Sequence, residues 1–453
     1  MKRFISLSLT AMAIAVFTAC GSPAAAPDAG SAGGTGGAGG ATGGAATSPA
    51  TTEQEADITN LRWIALSGGW EPDTLAAREL FAEETGIHVE FVGLPFNDLF
   101  EVIEVRIASG TSDYDIISVD VPMVASYATR GLIQPLDRFF TADEKSQWIP
   151  SALQAGSWQG TFYAAPMNTS AQLLYYNIDL LAEAGITLRD NDSNNRLTYE
   201  ELEDYARRAM DVLDPDRNRG LQGILFQQVS RTYQMNSLAN SRGELNIGPD
   251  GFTLDGYINT DGWVHAFTWW QNLFNDGLSL RGLPPENSTP NFNSGNVIFM
   301  IGGTWTPAQA PDVNFGFAPM PAWRGFEDQV GTPTGSWHFG INAHSNHTEA
   351  AAEFIRFMSL GLGNQMFLDL HGPVPATMSG IRAIEENPDA NPVMRMAIYE
   401  AANTAVPRAL TPGWPEYSSI MDATFEDIRN GADVRGALDE AAMRLTSMME
   451  RHR

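Results

Sequence analysis

The chain has 453 residues, with 54 acidic against 27 basic side chains, a net charge of −27 and a single cysteine. So acidic a surface argues against nucleic acid or anionic lipid as a partner held by charge, and one cysteine rules out an internal disulfide. There is no P-loop, Gly-x-Ser-x-Gly elbow or His-Glu-x-x-His, and the seven histidines do not stand at metal-ligand spacing, so the chain reads as a non-enzyme.

Lys2-Arg3 forms a basic start, residues 4–17 are an apolar run too short to span a bilayer, and Thr18-Ala19 puts small residues before Cys20. Residues 1–20 therefore read as a lipoprotein signal peptide with Cys20 as the lipidated residue; an ordinary secretory signal beside an incidental cysteine is the alternative. Either address is extracytoplasmic, and the lipoprotein reading anchors the chain to the bacterial cell membrane. Residues 21–56 are nearly all Gly, Ala, Ser, Thr and Pro and read as a disordered tether. The Gly-x-Gly-x-x-Gly at 34–39 has no strand before it and no helix after it, and is a chance match.

The remaining 400 or so residues suit two lobes. Strands are expected at 61–66, 87–91 and 115–119, with helices at 71–84, 96–109 and 122–129, Pro72 in a first turn and Gly86 at a helix end. Strand alternating with helix predicts an α/β, mostly parallel sheet flanked by helices. Ligands then gather at the carboxyl ends of the strands, which selects Ser67 to Glu71, with Gly69 and Trp70 among them, and Asp120. A turn at Gln159-Gly160, a break at Pro166, polar Asn168 to Ser170 and an apolar strand behind them suggest a crossing between lobes beside a wet cleft. Helices at 198–213, 263–274 and 349–360 alternate with strands at 221–226, 297–301, 315–318 and 335–342. The tail after Pro392 is helical and is broken over 407–415. Arg231 and Tyr233 fall in a loop.

A pyranose stacks its C–H faces on flat rings and offers a rim of hydroxyls to Asp, Glu and Arg. Trp70, Trp305, Trp337 and Trp414 follow Gly- or Pro-rich turns. Each could equally fill a core, but the glycine context favours cleft exposure for Trp305 and Trp337.

Five motifs in order carry a resemblance. They are Glu83-Glu84-Thr85-Gly86-Ile87, the strand 115–121, Gly185-Ile186 followed by Thr198-Tyr199-Glu200-Glu201-Leu202, Gly335-Ser336-Trp337, and Pro407 to Ser418 with Arg408 and Trp414. In these, as in the crossing at 158–177, the chain resembles the bacterial extracellular solute-binding proteins of carbohydrate ABC importers, in their trehalose/maltose-binding-like branch. The resemblance implies a two-lobed periplasmic-binding-protein fold of type II character with three crossings. Lobe 1 would be 57–168 plus 336–375, and lobe 2 171–333 plus 377–453. It also implies a monomer that closes on a small carbohydrate, with a disaccharide such as trehalose or maltose as the leading class, and docks on permease subunits. Carried over by position, Glu71 and Asp120 accept from sugar hydroxyls, Arg408 forks onto adjacent ones, and Trp305 and Trp337 stack on rings. Gly69, Trp70, Asn168, Ser170, Tyr233, Gly335 and Trp414 complete the expected site. Ser170 and Met123 depart from the pattern, which leaves the sugar open. A non-sugar solute such as a polyol phosphate would want more cations than the cleft residues supply, and a secreted glycosidase is the remaining alternative.

Residues 190–201 fit the twelve-residue calcium loop, with Asp190, Asp192, Asn194, the Arg196 carbonyl and Glu201 as ligands and Asn195 at the sharp turn. A capping box between Thr198 and Glu201 explains the same residues without metal. No cofactor is required, and structural Ca²⁺ is the one candidate. Asp214, Asp216 and Asn218 repeat the spacing, but Leu225 stands where a closing carboxylate should be.

Overall fold

A computed structural model describes residues 60–68 and 70–453. The signal peptide, the tether, Cys20 and Gly69 lie outside the described residues. No helix among the described residues is long and apolar enough to cross a membrane.

The first sheet uses β1 (Asn60–Leu66), β2 (His88–Leu94), β3 (Ile116–Asp120), β4 (Ala165–Pro166) and a late strand, β9 (Trp337–Ile341). Its order is β2-β1-β3-β9-β4. β1 lies parallel to β2 and to β3, and β9 runs antiparallel to both β3 and β4. All five residues of β3 are buried, as a central strand covered on both faces must be. The second sheet uses β5 (Gln172–Asn177), β6 (Gln222–Phe226), β7 (Val297–Gly303) and β8 (Phe315–Ala318), in the order β8-β5-β7-β6. There β5 runs against β7 and β8, while β6 and β7 are parallel. Each sheet is thus mixed by a single reversed strand, and helices flank both.

The reversed strands decide what reaches the ligand edge. β3 ends at Asp120 on the edge where β9 begins, so Trp337 stands directly opposite Asp120. In the second sheet β7 ends at Gly303 opposite Gln172, the first residue of β5. Both sheets therefore bring strand beginnings and strand ends to one rim.

Helices form where the expected signals stand. α1 (Trp70–Thr85) opens with Glu71 and Asp73 in its first turn and is followed by Gly86 at φ +75°. α2 (Phe96–Val102) is shorter than expected, because a π-turn over Ile103–Ile107 takes up the rest. α3 (Tyr199–Leu213) is capped by Thr198 and Glu201. α4 (Thr232–Asn240) replaces the expected loop. α5 (Asp261–Asn275) sends Trp263 and Phe267 into a stack with Phe425. α6 (Thr348–Ser359), α7 (Leu362–His371), α8 (Pro392–Asn403), α9 (Trp414–Arg429) and α10 (Val434–Met449) complete the tail.

Between the sheets the chain passes in adjacent strips. Thr169 donates its amide to the Val374 carbonyl at 2.8 Å, and Met167 does the same to Trp337 at 3.0 Å. Thr332–Pro333 pairs in parallel with Ala405–Val406 as a short ribbon. Thr377 bridges Trp148, and the Met378 amide donates to the Gln147 carbonyl at 2.8 Å. The chain is thus still tied to the first sheet's surroundings where the sequence reading already places it in the second lobe.

Candidate functional site

Asp120, at the end of β3, lies bidentate against the guanidinium of Arg408, whose Nη1 donates to Oδ2 at 3.3 Å. Both side chains are buried. Arg408 is aimed by its Nε, which donates to the Thr334 carbonyl at 3.1 Å. Its guanidinium also lies 5.3 Å over the ring of Tyr233 and 5.8 Å over that of Trp414. Tyr233 in turn stacks on Trp305, with centroids 5.7 Å apart and 30° between planes. One run of contacts therefore joins Trp337, Asp120, Arg408, Tyr233 and Trp305 across the rims of both sheets.

Ser170 closes the run from below. Its hydroxyl lies 3.0 Å from the Tyr233 hydroxyl, donates to the Gly335 carbonyl, and accepts from the Gly335 amide at 2.9 Å. A Cβ on Gly335 would sit 2.6 Å from the Tyr233 ring and 2.9 Å from the Ser170 hydroxyl oxygen, so this approach needs glycine. Burial pushes the Tyr233 phenol, already protonated at neutral pH, up to about 12.

Trp337 and Trp305 are half-buried. Trp337 meets Trp70 edge-on at 5.4 Å and lies nearly parallel to Phe100 at 6.4 Å. Phe96 stands beside them, 6.2 Å from Trp337 and 45 % exposed. The indole expected to meet ligand from Trp70 is instead packed away, 4 % exposed, against Trp337, Phe367 and His371. Trp414, at 7 %, likewise stacks on Tyr417 beneath Arg408. Both pack against residues of the run, Trp70 on Trp337 and Trp414 under the Arg408 guanidinium. Asn168 accepts the Trp337 amide on Oδ1 at 2.9 Å and so sets the start of β9. Glu71 is exposed on the first turn of α1.

Sequence reasoning missed Gln172, Phe96 and Phe100. Gln172 is buried, and its Nε2 donates to the Tyr233 carbonyl at 2.6 Å, which anchors α4 to β5. Phe96 and Phe100 stand four residues apart on α2, a helical spacing that was legible but gives no sign of what lies opposite.

The Asp190–Glu201 loop takes a form that the calcium reading did not foresee. The Arg189 guanidinium donates to the Asp190 and Asn195 carbonyls and to Asn195 Oδ1, each at 3.0 Å, and also to the Arg196 carbonyl. It also holds both oxygens of Glu201, at 2.9 and 2.7 Å. Glu201 further accepts the Thr198 amide at 2.8 Å, closing the capping box. The Arg189 pair holds the Glu201 carboxyl below its ordinary range. Asp192 spends Oδ1 on the amides of Asn194 and Asn195. Of the expected ligands, the Asp190 and Arg196 carbonyls and the Glu201 carboxylate thus meet the Arg189 guanidinium, while Asp192 turns to backbone amides. Among the described residues no group of three or more His, Cys, Asp or Glu could hold a metal. A depression of about 580 Å³ adjoins this loop, and neither Asp120 nor Arg408 lines it.

The family described as bacterial extracellular solute-binding protein matches residues 68–360, more than half of the chain. A binding protein of Brucella abortus (strain 2308) is 24% identical over 413 residues, spanning 88% of this chain and 94% of its own. The sn-glycerol-3-phosphate-binding periplasmic protein UgpB of Rhizobium meliloti (strain 1021) is 24% identical over 318 residues, 67% of this chain and 72% of its own. The ABC substrate-binding protein Lmo0181 from Listeria monocytogenes, solved in complex with cycloalternan, superposes with a TM-score of 0.75 at 21% identity, over 87% of this chain and 100% of the other. That likeness shows the α/β periplasmic-binding-protein fold.

Proposed function

The chain belongs to the bacterial extracellular solute-binding proteins, a family of binders and not of enzymes, and from that premise we propose that it captures an oligosaccharide between two lobes for an ABC importer. In this reading the lobes are residues 57–168 plus 336–375 and 171–333 plus 377–453, with Thr377 and Met378 still tied to Trp148 and Gln147 of the first. Cys20 carries the lipid that keeps the protein at the outer face of the membrane, and the closed form docks on the permease subunits. The observation that carries the reading is the contact run from Trp337 through Asp120 and Arg408 to Tyr233 and Trp305. It offers two half-buried indoles for sugar faces, and between them a carboxylate and a guanidinium for hydroxyls. A saccharide that trades the Asp120–Arg408 contact for its own hydroxyls, bridging both lobes, favours closure by its differential contacts.

A thermal-shift panel of glucose, trehalose, maltose and maltotetraose tests this. A bound sugar at a hundred times its Kd adds about 2.7 kcal/mol to stability. Trp305→Ala and Trp337→Ala are each expected to abolish that gain at the same sugar concentration. A melting curve unmoved by every sugar sinks the saccharide reading.

The likeness to UgpB favours a second reading, a polyol phosphate. Against it, Arg408 is the cation of the run and is already spent on Asp120, so a phosphate would meet a neutral pair. Glycerol 3-phosphate in the same panel separates the two.

A further inference from the structure

A cavity of about 500 Å³ lies apart from the Asp120–Arg408 run, where two stretches of the chain meet. The earlier stretch lines it with Trp158, Gln159 and Tyr163, and the later one with Asp250, Phe252 and Arg453. Trp158 and Phe252 meet edge to face, 6.5 Å apart at 72°. The Arg453 guanidinium lies 5.6 Å over the Phe252 ring and donates to Asp250 Oδ2 at 3.2 Å. Asp250 is held by the amides of Phe252 and Thr253, at 3.0 and 2.9 Å, and by the Thr253 hydroxyl at 2.7 Å.

The local backbone is shaped to present these groups. The hairpin of Ser157–Trp158 with Thr161–Phe162 turns through Gln159 at φ +48° and Gly160 at φ +80°. Two left-handed residues in a row favour Asn-Gly, so a glutamine there is strained, and the strain sits on the cavity rim. Across from it, Gly251 has φ +74°, and a Cβ there would lie 2.9 Å from the Leu410 carbonyl oxygen and 3.1 Å from the Trp158 indole. The indole is therefore seated against backbone.

Flat rings, an oriented carboxylate and a guanidinium with further N–H donors form a lining that suits a pyranose, and the volume falls in the range of small-molecule sites. We propose that this cavity binds a sugar ring. The ring is either a free saccharide or the distal end of an oligosaccharide whose other end lies at Arg408. Pro412 also lines the cavity and is four residues from Arg408, so the two places are within roughly 14 Å along the chain. Since both stretches supply walls, a ring held here favours the closed arrangement. The ligand class rests on the saccharide reading above; the cavity's geometry does not.

Calorimetric titration of the intact protein and of its Trp158→Ala and Arg453→Ala variants, with maltose and with maltotetraose, tests the assignment. A distal ring predicts that Trp158→Ala weakens maltotetraose at least tenfold and maltose less than twofold. A free saccharide predicts a second, weaker maltose event in the wild type that both variants lose. A single event for each sugar, with every Kd within twofold of wild type in both variants, overturns the inference and leaves the saccharide reading standing. A wild type that binds neither maltose nor maltotetraose overturns the inference, and one that binds neither glucose nor trehalose as well overturns both.

Discussion

At the scale of single residues, two buried groups set opposing pH dependences. His338, on β9, is fully buried, its Nε2 2.9 Å from the Ala152 carbonyl oxygen, and burial lowers its pKa to about 4. An unfolded histidine titrates near 6.5, so the unfolded chain takes up a proton that the folded one refuses. Stability from this group is complete above about pH 6.5 and is lost on acidification, on the order of 3 kcal/mol in all. Asp422 behaves oppositely. Burial raises its pKa to about 6 while it accepts the Thr232 amide at 2.9 Å. The folded state keeps a proton that the unfolded chain releases, so stability is lost as pH rises from about 4 through about 6. The two partly cancel in the wild type. Asp422→Asn keeps an acceptor for Thr232, and urea unfolding at pH 4.5 and 6.5 should show its stability climbing more steeply with pH than the wild type's. Identical slopes would mean that Asp422 is ionised throughout.

At the scale of elements, the ribbon between Thr332–Pro333 and Ala405–Val406 is braced by a buried ion pair. Arg196 Nη1 lies 2.6 Å from Glu400 Oε1, with side chains 5 % and 0 % exposed. The same nitrogen donates to the Met320 carbonyl at 3.0 Å, and Glu400 Oε2 accepts from Thr404 at 2.6 Å. Glu400→Gln leaves Arg196 charged and buried, and should cost about 3–5 kcal/mol in denaturant unfolding. Replacing both partners, Arg196→Met with Glu400→Leu, should cost much less; an equal loss would assign the cost to packing. Element type was legible wherever an apolar stripe or a buried run stood between turn residues, as in α1, α3, β3 and β7. It failed at α4, where all nine residues are buried and half are polar. With no solvent face there is no 3.6-residue contrast to read, so the sequence puts Tyr233 in a loop. α2 was read too long because a π-turn leaves no mark on apolar spacing.

At the scale of the whole molecule, three sets of contacts tie the earlier to the later stretches: Asp120 with Arg408, Ser170 with Gly335 and Tyr233, and Trp158 with Phe252. Asp120→Asn removes the charge that compensates Arg408. It is expected to widen the ligand-free molecule, read as a larger radius of gyration in small-angle X-ray scattering, with a bound saccharide restoring the smaller value. An unchanged scattering curve would locate closure in the other ties. The sequence by itself determined the alternation of strand and helix, hence the fold class, and the strand ends where Asp120, Trp305 and Trp337 stand. Those follow from local pattern, since apolar periodicity and turn residues act over a few positions. Only the tertiary structure decided that Trp70 packs against Trp337, that Arg408 pairs with Asp120, and that the Arg189 guanidinium lies against Glu201 and the carbonyls of the Asp190–Glu201 loop. Each depends on which partner a side chain meets across scores or hundreds of residues, or on which way one long guanidinium folds back, and local spacing carries no record of either.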